Sequence, residues 1–240
     1  SFSFDCMKEL GVACEILPSL PCTFDNMSAT LLGDTLYVLG GYRNGIPSCS
    51  MFSFCLSNYS GGWTEVFFPG KPRVQPVCAS LFGNLYIWGG FIPGKESSVL
   101  TDGLCYQPAS GQWQVLRAPL TTEGQPLTLT GGASVSYGDT LVICAGGVNR
   151  DIFEDAISGR YKKVCESEYL LQPVEWYHFN DQLLAYDVRL GEWIRIGTPS
   201  PMLARAGASL VLFGEDLFYI GGELKPGVRT SDICRISFQE

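Results

Sequence analysis

One pattern recurs four times along the chain: a turn, a run of apolar residues and then two consecutive glycines. The copies occupy residues 33–41, 83–90, 138–147 and 214–222. A short segment with small residues precedes each copy. Trp63, Trp113 and Trp193 follow the first three glycine pairs after 22, 23 and 46 residues. Such a period constrains the fold strongly, because it predicts copies of one supersecondary unit that bury their apolar faces against one another.

The unit resembles the kelch repeat, in which about 50 residues form one four-stranded blade of a β-propeller. The resemblance implies an all-β fold, a kelch-type β-propeller in a single domain spanning 1–240. We expect the glycine pair to allow close backbone approach between blades, and the tryptophan to fill the wedge between neighbours. A β-sandwich with chance glycines is the alternative. The predicted blade portions are 1–25, 26–69, 70–118, 119–199 and 200–240.

The two ends of the chain each correspond to an incomplete blade. Residues 1–20 resemble the last two strands of a blade, and the fourth repeat stops after its third strand, at 231–238. This gives about four and a half blades, whereas kelch propellers commonly close with about six or seven. We therefore expect the chain to be a portion of a six-bladed propeller.

Composition excludes several function classes. Apolar residues make up 46% and charged residues 17%, so disorder is excluded. The net charge of −8 with 16 Lys and Arg argues against nucleic acid as a partner. No apolar run approaches the roughly 18 residues of a membrane span. The first residues, Ser1 to Asp5, do not look like a signal peptide.

Cysteine and histidine usage argues against a metal site. The ten cysteines include no C-x-x-C pair, and His178 is the single histidine. A zinc ribbon is therefore not expected, and neither is a histidine-rich copper or zinc site. Since most cysteines lie in apolar stretches, we expect buried free thiols, although the even count permits disulfides.

Polar residues are predicted to gather on one face of the propeller. In such blades, the loop after each glycine pair and the segment that precedes each first strand lie on the same face of the propeller. We call the edge of the central channel on this face the rim, and the opening that it surrounds the mouth. The residues predicted to meet at this mouth as substrate-binding groups are Arg73, Asn149, Arg150, Arg205 and Lys225. Glu223 and Arg229 belong to the same rim. Cations gathered on an acidic protein suit a small anionic ligand; the alternative is that they are ordinary solvated loop charges.

The third repeat is longer than the others by ~23 residues, between Gly147 and Trp193. Apolar spacing in this insertion, over about 151–175, is helical rather than alternating. We expect the insertion to cover the same end of the channel. Long ordered insertions are often functional. A helix that merely packs on the rim is the alternative.

The segment from Gly221 to Thr230 carries the most specific motif, with Glu223 directly after the glycine pair and Arg229 beyond a Pro-Gly turn. It resembles the G-E-x-K-P-G-x-R-T signature of the sialic acid mutarotases, or N-acetylneuraminate epimerases. The segments 146–153 and 179–187 resemble the same family, as does Pro72-Arg73 ahead of its repeat. The resemblance spans about 60–238 and favours a cyclically permuted member.

The resemblance implies that Glu223 and Arg229 are the catalytic pair of an enzyme that interconverts the α and β anomers of N-acetylneuraminic acid. A carboxylate can take a proton from the anomeric hydroxyl, and a guanidinium can bind the substrate carboxylate through two parallel hydrogen bonds. No metal or organic cofactor is expected. Family members are largely periplasmic, so we expect a periplasmic or secreted protein; the cytoplasm stays open because the cysteines show no disulfide framework.

Other functions stay open. A kelch propeller can serve as a binding module for protein or glycan without catalysis, and Glu223 and Arg229 would then be a structural ion pair. A sialidase is disfavoured because no S-x-D-x-G-x-x-W box occurs. A copper oxidase resembling galactose oxidase would need two histidine ligands. The oligomeric state is not predicted.

Overall fold

The structure is a computed structural model that describes residues 15–94, 96–161 and 166–238. Four antiparallel sheets follow one another along the chain. The strands of blade 1 are Ser28–Leu32, Thr35–Leu39, Met51–Cys55 and Trp63–Val66. Those of blade 2 are Val77–Leu81, Asn84–Trp88, Gly103–Gln107 and Gln112–Leu116. Those of blade 3 are Ala133–Tyr137, Leu141–Ala145, Leu183–Asp187 and Glu192–Ile196. The described strands of blade 4 are Ser209–Phe213, Asp216–Ile220 and Ile233–Ile236.

The blades pack side by side in chain order, with their first strands meeting one another near the propeller axis. The second strand of blade 3 shows how the core is built. Val142 and Cys144 pack towards blade 2, while Ile143 and Ala145 pack towards blade 4. Successive side chains of a strand point to opposite faces, so a strand between two blades must be apolar throughout. This arrangement confirms the predicted all-β propeller architecture.

The glycine pairs lie where one blade touches the next. A Cβ on Gly40 would come within 2.5 Å of the main-chain oxygen of Arg73, and one on Gly146 within 2.3 Å of that of Arg205. The second glycine of each of these two pairs donates a hydrogen bond to the same oxygen, over 2.8 Å from Gly41 and from Gly147. Any side chain would separate these blades, so the pair is required by packing.

The tryptophans of the fourth strands link neighbouring blades. The indole nitrogen of Trp113 donates to the main-chain oxygen of Phe67 over 3.0 Å, and that of Trp193 to Arg117 over 2.9 Å. In each case the acceptor lies in the connection that leaves the preceding blade. The ring of Trp193 also packs edge-on against Trp88 of blade 2, with centroids 5.0 Å apart. The indoles therefore fill the wedge between blades and satisfy their own donors.

Short hairpins follow three of the glycine pairs. They are formed by Tyr42–Arg43 with Ile46–Pro47, by Phe91–Ile92 with Ser98–Val99, and by Glu223–Lys225 with Val228–Arg229. The strand Phe24–Asp25 adds to the first of them.

In blade 3 the corresponding place holds the predicted helical insertion. It contains helix α1 (Arg150–Ile157), helix α2 (Glu166–Leu171) and a 3-10 turn at Val174–Tyr177. Two further 3-10 turns lie elsewhere, at Tyr59–Gly61 and Pro201–Leu203.

Several predictions concern cysteines, metals and the chain ends. Cys6, Cys14 and Cys165 lie outside the described residues, as does most of the predicted blade portion 1–25. The seven described cysteines are free thiols: Cys105, Cys144 and Cys234 are buried and Cys49 is exposed. The described part of the chain contains no cluster of residues arranged to hold a metal ion. None of its helices is long and apolar enough to cross a membrane.

Candidate active site

Glu223 and Arg229 face each other across the short hairpin of blade 4. They are directly paired in its register, and Nη2 of Arg229 lies 3.1 Å from Oε1 of Glu223. Pro226 and Gly227 form the turn, with Gly227 at φ +77°, a conformation that favours glycine. The Glu223 side chain is 31% exposed and that of Arg229 is 80% exposed. The carboxylate is thus half-buried beside a guanidinium that reaches into solvent.

The main chain of Glu223 is fixed from the other side by the segment that precedes the first strand of blade 4. Its N–H donates to the oxygen of Ala206 over 2.7 Å, and the N–H of Ala206 donates to the oxygen of Glu223 over 3.0 Å. Glu223 therefore lies in a small three-stranded arrangement near the propeller axis. This rigid support is what a positioned acid or base requires.

Glu223 lines a cavity of about 230 Å³. The lining combines three residues with carboxamide or carboxylate groups, Gln75, Asn149 and Glu223, with aromatic residues. The aromatic residues are Phe91, Phe153, Tyr169, Tyr177 and Phe179. Such a mixture of apolar walls and a few convergent polar groups is typical of small-molecule sites. Burial raises the pKa of Tyr169 to about 12 and also raises that of Tyr177, so both phenols stay protonated at neutral pH. The hydroxyl of Tyr177 donates to the main-chain oxygen of Tyr169.

Asn149 and Arg150 begin the insertion beside this cavity. Oδ1 of Asn149 accepts hydrogen bonds from the N–H groups of Asp151 and Ile152, both over 3.1 Å, and so caps helix α1. Arg150 forms an ion pair with Asp151 over 2.8 Å and donates to the main-chain oxygen of Pro126. Arg150 lines a second, larger cavity of about 700 Å³, which shares Val148, Asn149 and Phe179 with the first. The structure therefore brings Asn149 to Glu223 and places Arg150 in the adjoining space.

Lys225 holds the insertion in place. Its Nζ donates to the main-chain oxygens of Gln172, over 2.7 Å, and Leu170, over 3.1 Å. These carbonyls lie at the C-terminal end of helix α2, where a cation is favourable. Because two of its donors bind the main chain, we propose a positioning role for Lys225; its role in binding an anionic substrate stays a prediction.

Arg73 is buried and turned into its own blade. Its side chain is 0% exposed, its Nη2 lies 2.8 Å from Oδ2 of Asp102, and its Nη1 donates to the oxygen of Gly89 over 3.0 Å. The guanidinium also lies over the ring of Phe68, 5.3 Å from its centroid. Arg73 thereby connects the end of the second strand to the start of the third.

Arg205 repeats this arrangement in blade 4. Its side chain is 2% exposed, and its Nη1 donates to the oxygens of Gly221 and Asp232 over 3.0 and 3.1 Å. We therefore leave Arg73 and Arg205 out of the candidate site, because a ligand in the cavity has no access to buried guanidinium groups that already bind their own blade. Both residues lie in the connecting segments that the repeat pattern predicted, but the pattern does not predict the direction of their side chains.

Three residues that line the cavity are absent from the predicted site: Gln75, Tyr169 and Tyr177. Tyr169 and Tyr177 lie in the insertion, whose helical spacing gave no indication of which face would meet the cavity. Gln75 follows the predicted Arg73 by two residues, and its signal was available: the same position in blades 3 and 4 is glycine.

Comparison with known proteins places these features in a family. A family model described as N-acetylneuraminate epimerase matches residues 17–240. A protein of Haemophilus influenzae (strain 86-028NP) named N-acetylneuraminate epimerase is 33% identical over 226 residues, which are 90% of this chain and 57% of the relative. One from Yersinia enterocolitica with the same name is 31% identical over 91% of this chain and 57% of the relative.

The solved structure of YjhT superposes with a TM-score of 0.79 at 27% identity, covering 92% of this chain and 65% of that one. The chain thus spans little more than half the length of the curated relatives that it matches. The match to the family model extends over nearly all of the described residues, including the Glu223–Arg229 hairpin, and confirms the resemblance seen in the sequence: the chain belongs to the N-acetylneuraminate epimerase family.

Proposed function

We propose that the protein containing this chain is a mutarotase that interconverts the α and β anomers of N-acetylneuraminic acid by acid/base ring opening and closure. The observation that carries the proposal is the Glu223–Arg229 pair, joined over 3.1 Å at the edge of a cavity with polar and aromatic walls. Family membership supports the same substrate. Following the resemblance, we place the protein in the periplasm or outside the cell.

The chemistry needs one proton to leave the anomeric hydroxyl and one to reach the ring oxygen. Glu223 takes the hydroxyl proton, the C2–O6 bond breaks, and C2 becomes a ketone as O6 gains a proton from a water molecule, which is left as hydroxide until ring closure returns that proton. Rotation about the bond between C2 and C3 presents the other face of the ketone. Ring closure reverses both transfers, so the protonated carboxyl returns its proton and the enzyme ends unchanged. General acid–base catalysis of this kind contributes roughly 10²–10⁴ in rate.

Arg229 is proposed to bind the substrate carboxylate. A guanidinium presents a planar fork that matches both carboxylate oxygens, and 80% exposure leaves it accessible from solvent. The substrate carboxylate attaches to C2, so gripping it keeps the reacting carbon near Glu223. Asn149, which lines the same cavity, is proposed to contact the sugar. Arg150 in the adjoining cavity provides a further cation for the acidic ligand.

The experiment is anomer exchange followed by NMR on the full-length protein. The α anomer is released from a glycoside, and its conversion to the β anomer is timed with wild type and with Glu223→Gln. The variant keeps the size of the side chain, so we expect a folded protein whose exchange falls to the uncatalysed rate.

Glu65→Gln is the matched control, because Glu65 also pairs with an exposed arginine, Arg43, over 3.3 Å. It should exchange at the wild-type rate. Wild-type exchange in Glu223→Gln would exclude the proposed base. Binding of the sugar by the wild type without any acceleration would instead favour a propeller binding module.

A further inference from the structure

Four equivalent residues, one ahead of the first strand of each blade, share a left-handed backbone. They are Asn26, Gln75, Gly131 and Gly207, with φ of +51°, +53°, +69° and +65°. One hydrogen bond links each of them to the next: the N–H of Gln75 donates to the oxygen of Asn26, that of Gly131 to Gln75, and that of Gly207 to Gly131, over 3.0, 3.1 and 2.7 Å. They form an arc around the propeller axis, and the backbone of Gln75 is fixed on both sides.

Glutamine is an unusual occupant of this arc. A left-handed backbone is open to glycine and tolerated by asparagine, whereas other side chains are disfavoured in it. Blades 3 and 4 use glycine and blade 1 uses asparagine, so the fold itself does not need a glutamine here. Non-glycine residues held in such conformations cluster at functional sites. The presence of glutamine at position 75 therefore has a reason other than the backbone conformation.

Gln75 is exposed and lines the cavity that Glu223 also lines. Its Nε2 donates to Oδ1 of Asn26 over 3.0 Å, which orients the carboxamide. Within the described part of the chain, Oε1 of Gln75 accepts no hydrogen bond. A Cβ on Gly131 would lie 3.8 Å from that oxygen and 3.5 Å from the Cβ of Ala206, and Ala206 also lines the cavity. An oriented carboxamide with an unused acceptor thus lies at the same cavity as the proposed base.

We propose that Gln75 is a substrate-binding residue that accepts a hydrogen bond from a neutral polar group of the sugar acid, a hydroxyl or an amide N–H, and so holds the ring against Glu223. This inference rests on the proposed function. A neutral carboxamide has no charge to offer a carboxylate, so the acid group is left to Arg229. With Gln75 holding the sugar and Arg229 the carboxylate, the reacting carbon is fixed from two directions.

Gln75→Gly tests the proposal, because it installs the residue that blades 3 and 4 already carry. The backbone can keep its conformation without strain, so we expect thermal stability to be maintained. Loss of one hydrogen bond should raise KM for N-acetylneuraminate roughly three- to ten-fold. Gln75→Asn, which tolerates the same backbone but has a shorter carboxamide, should raise KM as well.

Phe82→Gly is the matched control. Phe82 has φ +51° and is 67% exposed in the turn between the first two strands of blade 2, at the opposite end of the strand from Gln75. It undergoes the same change of backbone preference and should leave KM unchanged.

The outcomes separate this proposal from the proposed function. Exchange by the wild type, with KM of both Gln75 variants within two-fold of it, would overturn the role of Gln75 alone. Absence of exchange in the wild type would overturn the proposed function. In that case, calorimetric titration with N-acetylneuraminate tests whether Gln75 binds the sugar. Weaker binding by Gln75→Gly than by Phe82→Gly supports this role, and equal or absent binding overturns it.

Discussion

Lys225 and Gln172 join two parts of the chain that are 53 residues apart, through a hydrogen bond of 2.7 Å from Nζ to a main-chain oxygen. The bond ties the hairpin that carries Glu223 to the insertion that carries Tyr169 and Tyr177. The cavity is formed between these two elements. Its shape therefore depends on a contact made by a residue that does not line it.

Lys225→Met should loosen the insertion. Removing the ammonium leaves the carbonyls of Leu170 and Gln172 to solvent, so we expect faster amide hydrogen exchange in the second half of the insertion and a higher KM. Lys71→Met, at an exposed lysine of the loop between blades 1 and 2, should change neither quantity. A higher KM with unchanged hydrogen exchange would instead favour direct contact between Lys225 and the substrate.

Arg229→Lys should separate binding from stability. Lysine keeps the charge but loses the planar fork, so KM should rise about tenfold as one of two parallel hydrogen bonds is lost. The free energy of unfolding should change by less than about 1 kcal/mol, because exposed ion pairs contribute little. Steady-state kinetics and urea unfolding measure the two effects. A large loss of stability with normal KM would mark the pair as a structural brace.

Arg73→Met should destabilise the fold. The substitution leaves the Asp102 carboxylate and the carbonyl of Gly89 without their partner, which we expect to lower the free energy of unfolding by about 2–4 kcal/mol. Arg43→Met removes an arginine from a more exposed pair with Glu65 and should cost less than about 1 kcal/mol. Urea unfolding measures the free energy of unfolding of both variants. A stable Arg73→Met protein with a raised KM would restore the arginine to the substrate site.

Gly146→Ala should disrupt the contact between blades 3 and 4. The new methyl would lie 2.1 Å from the Tyr219 hydroxyl and 2.3 Å from the oxygen of Arg205. Together with the strain of φ +70°, this should lower the free energy of unfolding by at least about 3 kcal/mol. Gly138→Ala carries similar backbone strain at φ +55° with nothing within 4 Å, and should cost about 1 kcal/mol. Equal costs would mean that the glycine pair is needed only for its backbone conformation.

The repeat predicted the blades because the residue types of the second strands already show which segments are buried. A second strand lies between two blades, so Val142, Ile143 and Cys144 must all be apolar, and glycine must follow where Arg205 approaches. The Pro-Gly turn between Glu223 and Arg229 likewise brings those two side chains together through local geometry. The residues that mark these features lie within short segments, and the glycine pair recurs with each blade, which is why the sequence alone predicted them although the contacts that they make are long-range.

The tertiary structure decided where the other polar side chains point. Arg73 and Lys225 lie in the segments that the sequence assigned to the rim, yet one is buried against Gly89 and the other binds the insertion. Gln75, without any charge to mark it, faces the cavity. The physical reason is that a guanidinium or ammonium turns towards whichever oxygens lie within reach, and those oxygens belong to strands and helices far away in the chain. Only the packed blades bring them close.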